Sequence, residues 1–197
     1  MVRLREKVPV RREDVYKYSD FHRYKPFLRA DFNKKCGYCD DSDIRNGGHR
    51  FYQIDHFVPQ KVFKNLKEND YHNLVYSCPF CNRAKWHKWP SNDESVTVTG
   101  NAGFVDPCLT EFDNHLERNS DGEIKAKSDL GQYMWKELNL GLKRHAIIWN
   151  IEKLINQINE VKLLLDNEQD ENVKEILLSL FEEQKKFQDS LDIENDN

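Results

Sequence analysis

No run of apolar residues in this chain approaches the roughly 20 that a helix needs to cross a bilayer, and hydrophobic residues make up only 38% of it. The opening "MVRLREKVPVRRE" has basic residues with no apolar stretch behind them. It does not read as a secretory signal, so the expected compartment is the cytoplasm. In that compartment five cysteines are not expected to form a disulfide framework. The chain also lacks a thioredoxin-like βαβ pattern around its C-x-x-C pairs, which argues against a redox role for them. No finger array and no helix-turn-helix pattern is present, so little base-specific reading is expected.

What is there begins with charge. The net charge of −4 comes from 30 Lys and Arg against 34 Asp and Glu. Residues 1–90 hold 19 basic and 11 acidic residues, which leaves 11 and 23 for the remainder. A basic first half suggests a polyanion partner for that half. The plainer reading of such charge runs is a solvated face. A length of 197 residues allows one good core, or a small domain with an appendage.

The cysteines carry more information. Cys36 and Cys39 form "CGYC", and Cys78 and Cys81 form "CPFC". Each pair offers two thiolates from one tight turn, and two such turns supply the four sulfurs of a tetrahedral structural Zn²⁺. The pairs enclose a long insertion, so the expected site is a clamp rather than a compact finger. Cys108 stands alone after Asp106-Pro107 and reads as a buried or idle thiol.

Inside the clamp, "RFYQID" and "NLVYS" read as strands. "NRAKWHKW" reads as a helix beginning near Asn82 and stopped by Pro90. The sequence "IDHFVPQ" places Asp55 and His56 side by side at a strand end, where alternation sends neighbours to opposite faces.

In order, "CGYC", "IDH", "P", "HNL" and "CPFCNRAK" resemble the HNH, or ββα-metal, endonucleases in their four-cysteine zinc form, as in endonuclease VII-type cores. The resemblance covers about residues 33–90. It implies that His56 is the general base, that Asp55 and Asn82 hold a catalytic Mg²⁺ or Mn²⁺, and that Asn73 pins the loop presenting His56. It also implies that Cys36, Cys39, Cys78 and Cys81 bind zinc away from the chemistry. Asn82 stands where many members have His, as it does in the endonuclease VII layout. The residue types suit these roles, because a hard ion takes oxygen ligands and imidazole accepts a proton near neutral pH. Arg83, Lys85 and Lys88 are expected on a phosphate-contacting face, with "RRED", "HRYKPFLR" and "NKK" adding to it. "YKPFLRADFNKKCGYC" reads as a short helix feeding the first knuckle. Trp86 and Trp89 are expected in a core. His72 and His49 read as bystanders, and His87, displaced around the helix from Asn82, is not expected to share the ion.

Beyond the clamp, "VTVT" is β-prone and "HLERNSDGEIKAK" reads as a hairpin around Asp121-Gly122. From about Asp129 the pattern is helical. Ile147, Ile151, Leu154, Ile158, Val161 and Leu165 form one stripe at heptad spacing. "DNEQDEN" breaks it, and Val173, Ile176, Leu177, Leu180, Phe181 and Phe187 mark a second helix. The two stripes are expected to pack on each other or on the core, and the alternative is an interface for a homodimer or a partner protein. "HLERNSDGEIKAK" followed by "LNLGLKR" is similar to HNH effectors of Septu- and retron-type anti-phage systems, which implies an ATPase partner.

The expected fold is α+β: a zinc-stapled ββα-metal core with small β additions and a C-terminal long-helix hairpin. Residues 1–128 would form the nuclease domain and 129–197 a helical arm. The expected function is metal-dependent DNA phosphodiester hydrolysis, leaving a 5′ phosphate as the family does. Its rivals are a non-catalytic zinc module that binds nucleic acid or a partner, and a scaffold whose helical arm carries the biology.

Overall fold

The computed structural model describes residues 2–165 and 171–196. The chain divides into two compact units. One comprises Met1–Ser120 with Ile124–Gly141, and the other Asp121–Glu123 with Leu142–Asn197. The helix that begins at Asp129, expected to open the arm, belongs to the first unit.

In chain order the elements of the first unit begin with β1 (Val2–Arg3) and α1 (Lys25–Asp31), the latter entered through a 3₁₀ turn at Phe21–Tyr24. Then come β2 (Gln53–His56) and β3 (Leu74–Ser77), the second preceded by a 3₁₀ turn at Tyr71–Asn73. α2 (Pro79–Lys85), β4 (Val98–Thr99), β5 (Ala102–Gly103) and α3 (Phe112–His115) follow. β6 (Leu116–Arg118), β7 (Ile124–Ala126) and α4 (Asp129–Glu137) complete the set. The fold is mixed: β2 and β3 pair antiparallel, β1-β6-β7 form a three-stranded sheet, and β4 pairs with β5.

The β2–β3 ribbon and α2 form the expected strand, strand, helix order, but α2 starts three residues earlier than the sequence suggests. Cys78 is its N-cap, its sulfur accepting from the Cys81 amide, and Pro79 at the first position has its backbone angle already set for a helix. The helix also ends early, because Trp86 takes a left-handed conformation (φ 49°). Trp86 is exposed, contrary to the expectation of a core position, while Trp89 packs edge-on against Phe57.

The register sets Asp55 opposite Val75 and His56 opposite Leu74. Leu74, Val75 and Tyr76 are fully buried. Such a short ribbon is not stable by itself. It is held by α2, by α1 and by the apolar cluster of Leu28, Phe32, Tyr52, Phe104, Phe112 and Leu116. Gly37 is required in "CGYC": a Cβ there would lie 2.8 Å from a Val75 methyl and 2.7 Å from the Phe32 ring.

Several arginines of the basic first half are engaged by carboxylates. Arg5 pairs with Asp113, Arg11 with Asp106, Arg12 with Asp31 and Arg29 with Asp43. Arg11 also donates to the Leu74 carbonyl. These charge-assisted bonds tie an N-terminal segment with little regular structure onto the core. The sequence expectation that "RRED" and "HRYKPFLR" extend a phosphate-binding face is corrected at Arg11, Arg12 and Arg29, whose guanidinium groups are already engaged.

The second unit holds a long helix pair, α5 (Lys143–Leu165) and α6 (Glu171–Asp196). The break expected over 166–172 falls mostly outside the described residues. Ile148, Ile151 and Leu191 form its buried cluster, flanked by Ile147, Ile155 and Phe187. On α6 the half-buried apolar positions are Val173, Leu177, Leu180 and Phe187, whereas Ile176 and Phe181 are exposed. No helix among the described residues is long and apolar enough to cross a membrane.

Candidate functional site

Two sites flank the β2–β3 ribbon. The first is the cysteine clamp. Cys36, Cys39, Cys78 and Cys81 are all buried, with their sulfurs within 4.8 Å of one another. The Cys39 and Cys78 sulfurs are 3.8 Å apart. Tetrahedral sulfurs at the usual Zn–S length of about 2.3 Å would be about 3.8 Å apart, so the donor set fits a structural zinc. Cys108 lies outside this cluster.

The second site is an open cavity of about 450 Å³. Asp55, His56, Asn82, Arg83, Lys61 and His87 all line it. Residues that the sequence separates widely are thus joined by the ribbon and α2. Asn73 does not line the cavity. It is buried behind the strand end, its side-chain oxygen accepting from the Val58 amide (2.8 Å) and its amide donating to the Val58 carbonyl (3.0 Å). Both bonds fix the backbone two residues beyond His56.

Strand alternation separates Asp55 from His56. Asp55 is buried, and one carboxylate oxygen, Oδ2, accepts from the Tyr38 hydroxyl (2.5 Å) and pairs with Lys85 Nζ (2.9 Å). Among the described residues no donor engages Oδ1, which leaves that oxygen available for a hard cation. Burial, together with the adjoining Asp55 carboxylate, pushes the Tyr38 phenol well up, so it remains a donor. Tyr38 sits inside the first knuckle and joins the clamp to Asp55.

The His56 ring is oriented by its Nε2, 2.8 Å from the Glu68 carbonyl, and by an edge-on contact with Phe21. A carbonyl only accepts, so Nε2 carries the proton, and in the neutral ring Nδ1 is the nitrogen that holds the lone pair. Asn82 donates through Nδ2 to Gln53 Oε1 (2.5 Å), and among the described residues no donor engages the Asn82 oxygen. Asp55 Oδ1 and Asn82 Oδ1 are the donor types that a divalent ion of the Mg²⁺ class takes.

Lys85 departs from expectation. It is fully buried, between the Phe57 and Phe104 rings, and its ammonium reaches Asp55 and the His56 carbonyl (3.0 Å). It therefore cannot be a surface phosphate contact. Lys88 is partly exposed and pairs with Glu137 (2.6 Å). Arg83 is exposed and has no partner among the described residues. Lys61, which sequence reading passed over, lies over the exposed Trp86 ring (5.3 Å). His87 reaches the cavity because the chain turns at Trp86 instead of continuing the helix. Burial, with Lys61 and Lys85 nearby, lowers its pKa and favours the neutral ring. Tyr38, Gln53 and Lys85 emerge as supporting residues. Tyr38 carried a sequence signal, its place between the two cysteines of a knuckle, and Lys85 was singled out in the sequence but in another role, whereas Gln53 carried none.

A ββα unit with a four-sulfur clamp and an Asp-His-Asn cavity has the layout of an HNH-type domain. Residues 36–88 match the family model described as HNH endonuclease. Over most of its length the chain is similar to two Septu proteins of Bacillus mycoides (strain KBAB4). It is 24% identical to PtuA over 173 residues, covering 78% of this chain and 24% of PtuA. It is 27% identical to PtuB over 181 residues, covering 76% of this chain and 60% of PtuB. The chain thus spans about a quarter and three fifths of the length of these relatives. No solved structure matches it significantly.

Proposed function

We propose that the chain is a metal-dependent endonuclease that hydrolyses phosphodiester bonds in DNA. The observation that carries this reading is the His56 ring. Its Nε2–H is committed to the Glu68 carbonyl, leaving Nδ1 free as a base beside the cavity lined by Asp55 and Asn82, each with one oxygen that no donor among the described residues engages. A bound Mg²⁺ or Mn²⁺ would act as a Lewis acid and relieve charge on the leaving 3′ oxygen. The chain's own residues do the rest. Asp55 and Asn82 would hold the ion, with Tyr38, Lys85 and Gln53 fixing their side chains. His56 Nδ1 takes the proton of the attacking water, and Asn73 keeps the strand end that carries His56 in place. Arg83 and Lys61 offer positive charge to the flanking phosphates. The products would carry a 5′ phosphate and a 3′ hydroxyl. Zinc in the cysteine clamp would be structural.

Similarity to the Septu proteins supports a role as the nuclease component of an anti-phage system, controlled by a partner such as an ATPase that docks on the α5–α6 pair. The test is cleavage of supercoiled plasmid in Mg²⁺ or Mn²⁺ against EDTA, with His56→Ala beside the wild type. General-base catalysis is worth about 10²–10⁴ in rate, so the variant is expected to lose nicking by that factor while keeping its fold. Equal cleavage by the two proteins would overturn the role of His56.

A further inference from the structure

Beside the cavity lies a second pocket of about 340 Å³. It shares two lining residues, Gln53 and Arg83, with the cavity. Its apolar floor is Phe51, Pro79 and Phe80, with the two rings edge to face and 6.2 Å apart. Asn139, whose backbone is left-handed (φ 59°), also lines it. Phe51 is 45% exposed, a large share for a phenyl ring.

We propose that this pocket is a nucleobase subsite, receiving an unstacked base of the strand being cut, one step from the scissile phosphate. The inference rests on reading the adjoining cavity as the nuclease centre. The chemistry is specific to that occupant. A base offers a flat π-face to an aromatic ring, and such stacking tolerates any base. Its edge offers donors and acceptors, which the amides of Gln53 and Asn139 can meet. Gln53 spends Oε1 on Asn82, and its NH₂ has no partner among the described residues. Arg83, unpaired within the described residues, lines both cavity and pocket, where its guanidinium can contact the phosphate joining two nucleotides. The volume falls within the range of about 300–1,000 Å³ usual for small-ligand pockets. Filling it from a regular duplex means breaking a stack, and that costs least where the base is bulged, mismatched or already single-stranded. The substrate class is therefore nucleic acid with an unpaired nucleotide beside the cut. Gln53 would connect base occupancy to the orientation of Asn82.

The experiment uses the full chain, Ca²⁺ in place of Mg²⁺, and fluorescence anisotropy with three labelled DNA probes. These are a paired duplex, the same duplex with one bulged nucleotide, and the same bulge made abasic. An RNA version of each forms a parallel arm. The bulged probe is expected to bind at least about fivefold more tightly than the other two, from the usual worth of one base–aromatic stack. Phe51→Ala should erase that advantage without changing duplex affinity, and Phe51→Tyr should restore it. Equal binding of bulged and abasic probes, a uniform loss across all probes in Phe51→Ala, or no binding by the wild type would each overturn the subsite. Discrimination seen more strongly in RNA supports the pocket and moves the substrate away from DNA. Mg²⁺-dependent cleavage then separates the two readings. Cleavage without discrimination removes only the subsite, whereas discrimination without cleavage removes the nuclease reading and leaves a nucleobase-binding site with no cut beside it.

Discussion

Asp55 and His56 occupy adjacent positions and meet different surroundings. The strand sends Asp55 inward to Tyr38 and Lys85, and turns His56 toward the Glu68 carbonyl and the cavity. The pair Lys85–Asp55 is the more informative for stability, because both side chains are almost wholly buried (0% and 7% exposed). Removing one partner of a buried ion pair leaves an unpaired charge and typically costs about 3–5 kcal/mol. Lys85→Met is therefore expected to lower unfolding free energy by that order in chemical denaturation. It should also weaken Mn²⁺ binding, followed by the spectrum of the ion, since Asp55 loses its positioning cation. Lys85→Arg is not expected to rescue either, because a planar guanidinium cannot reproduce the compact ammonium that bonds both the Asp55 carboxylate and the His56 carbonyl. An unchanged denaturation midpoint in Lys85→Met would show that the ammonium is dispensable.

At the scale of elements, the ribbon and α2 are too short to persist by themselves. β2 and β3 have four residues each and α2 has seven, well below the about 12–15 at which an isolated helix becomes even marginal in water. The clamp supplies what they lack. Cys36 and Cys39 close against β3 through Gly37, whose amide donates to the Tyr76 carbonyl, while Cys78 caps α2 and Cys81 lies in it. Structural zinc contributes folding energy directly. On the proposed zinc clamp, Cys78→Ser should lose zinc, measured by elemental analysis, and should unfold cooperatively at a much lower temperature or not at all. The variant also weakens a helix cap, so chelation of the wild type provides an independent check. A wild type that melts unchanged after zinc removal would refute the clamp.

At the scale of the molecule, each unit has its own core. The large apolar cluster, from Leu4 to Leu140, lies wholly in the first unit, and the smaller one, centred on Ile148, Ile151 and Leu191, in the second. The candidate site residues, the clamp and the base pocket all belong to the first. Residues 1–141 are accordingly expected to fold, bind zinc and retain plasmid nicking. Cleavage lost in this shortened chain, with zinc and cooperative melting retained, would make the helix pair part of the active nuclease. Leu163, Leu164, Ile176 and Leu178 remain exposed along α5 and α6, consistent with the proposal that the pair receives a partner.

Local chemistry was legible in the sequence. Two C-x-x-C turns specify four sulfurs wherever the chain runs between them. Asp-His at a strand end specifies opposed side chains, and Asp121-Gly122 marks a turn in which Gly122 takes φ 85°. Heptad spacing identified the long helices, because period alone decides which face is apolar. Tertiary packing decided what each charge does. Arg11, Arg12, Arg29 and Lys85 look identical in sequence to solvent-facing cations, and only the fold supplies the distant carboxylates that draw them inward. It also decided the end of α2. The turn at Trp86 (φ 49°), which brings His87 to the cavity, has no counterpart in the local sequence pattern. The base pocket is of the same kind, since Phe51, Phe80 and Asn139 are far apart in the chain and become neighbours only through the packing of the first unit.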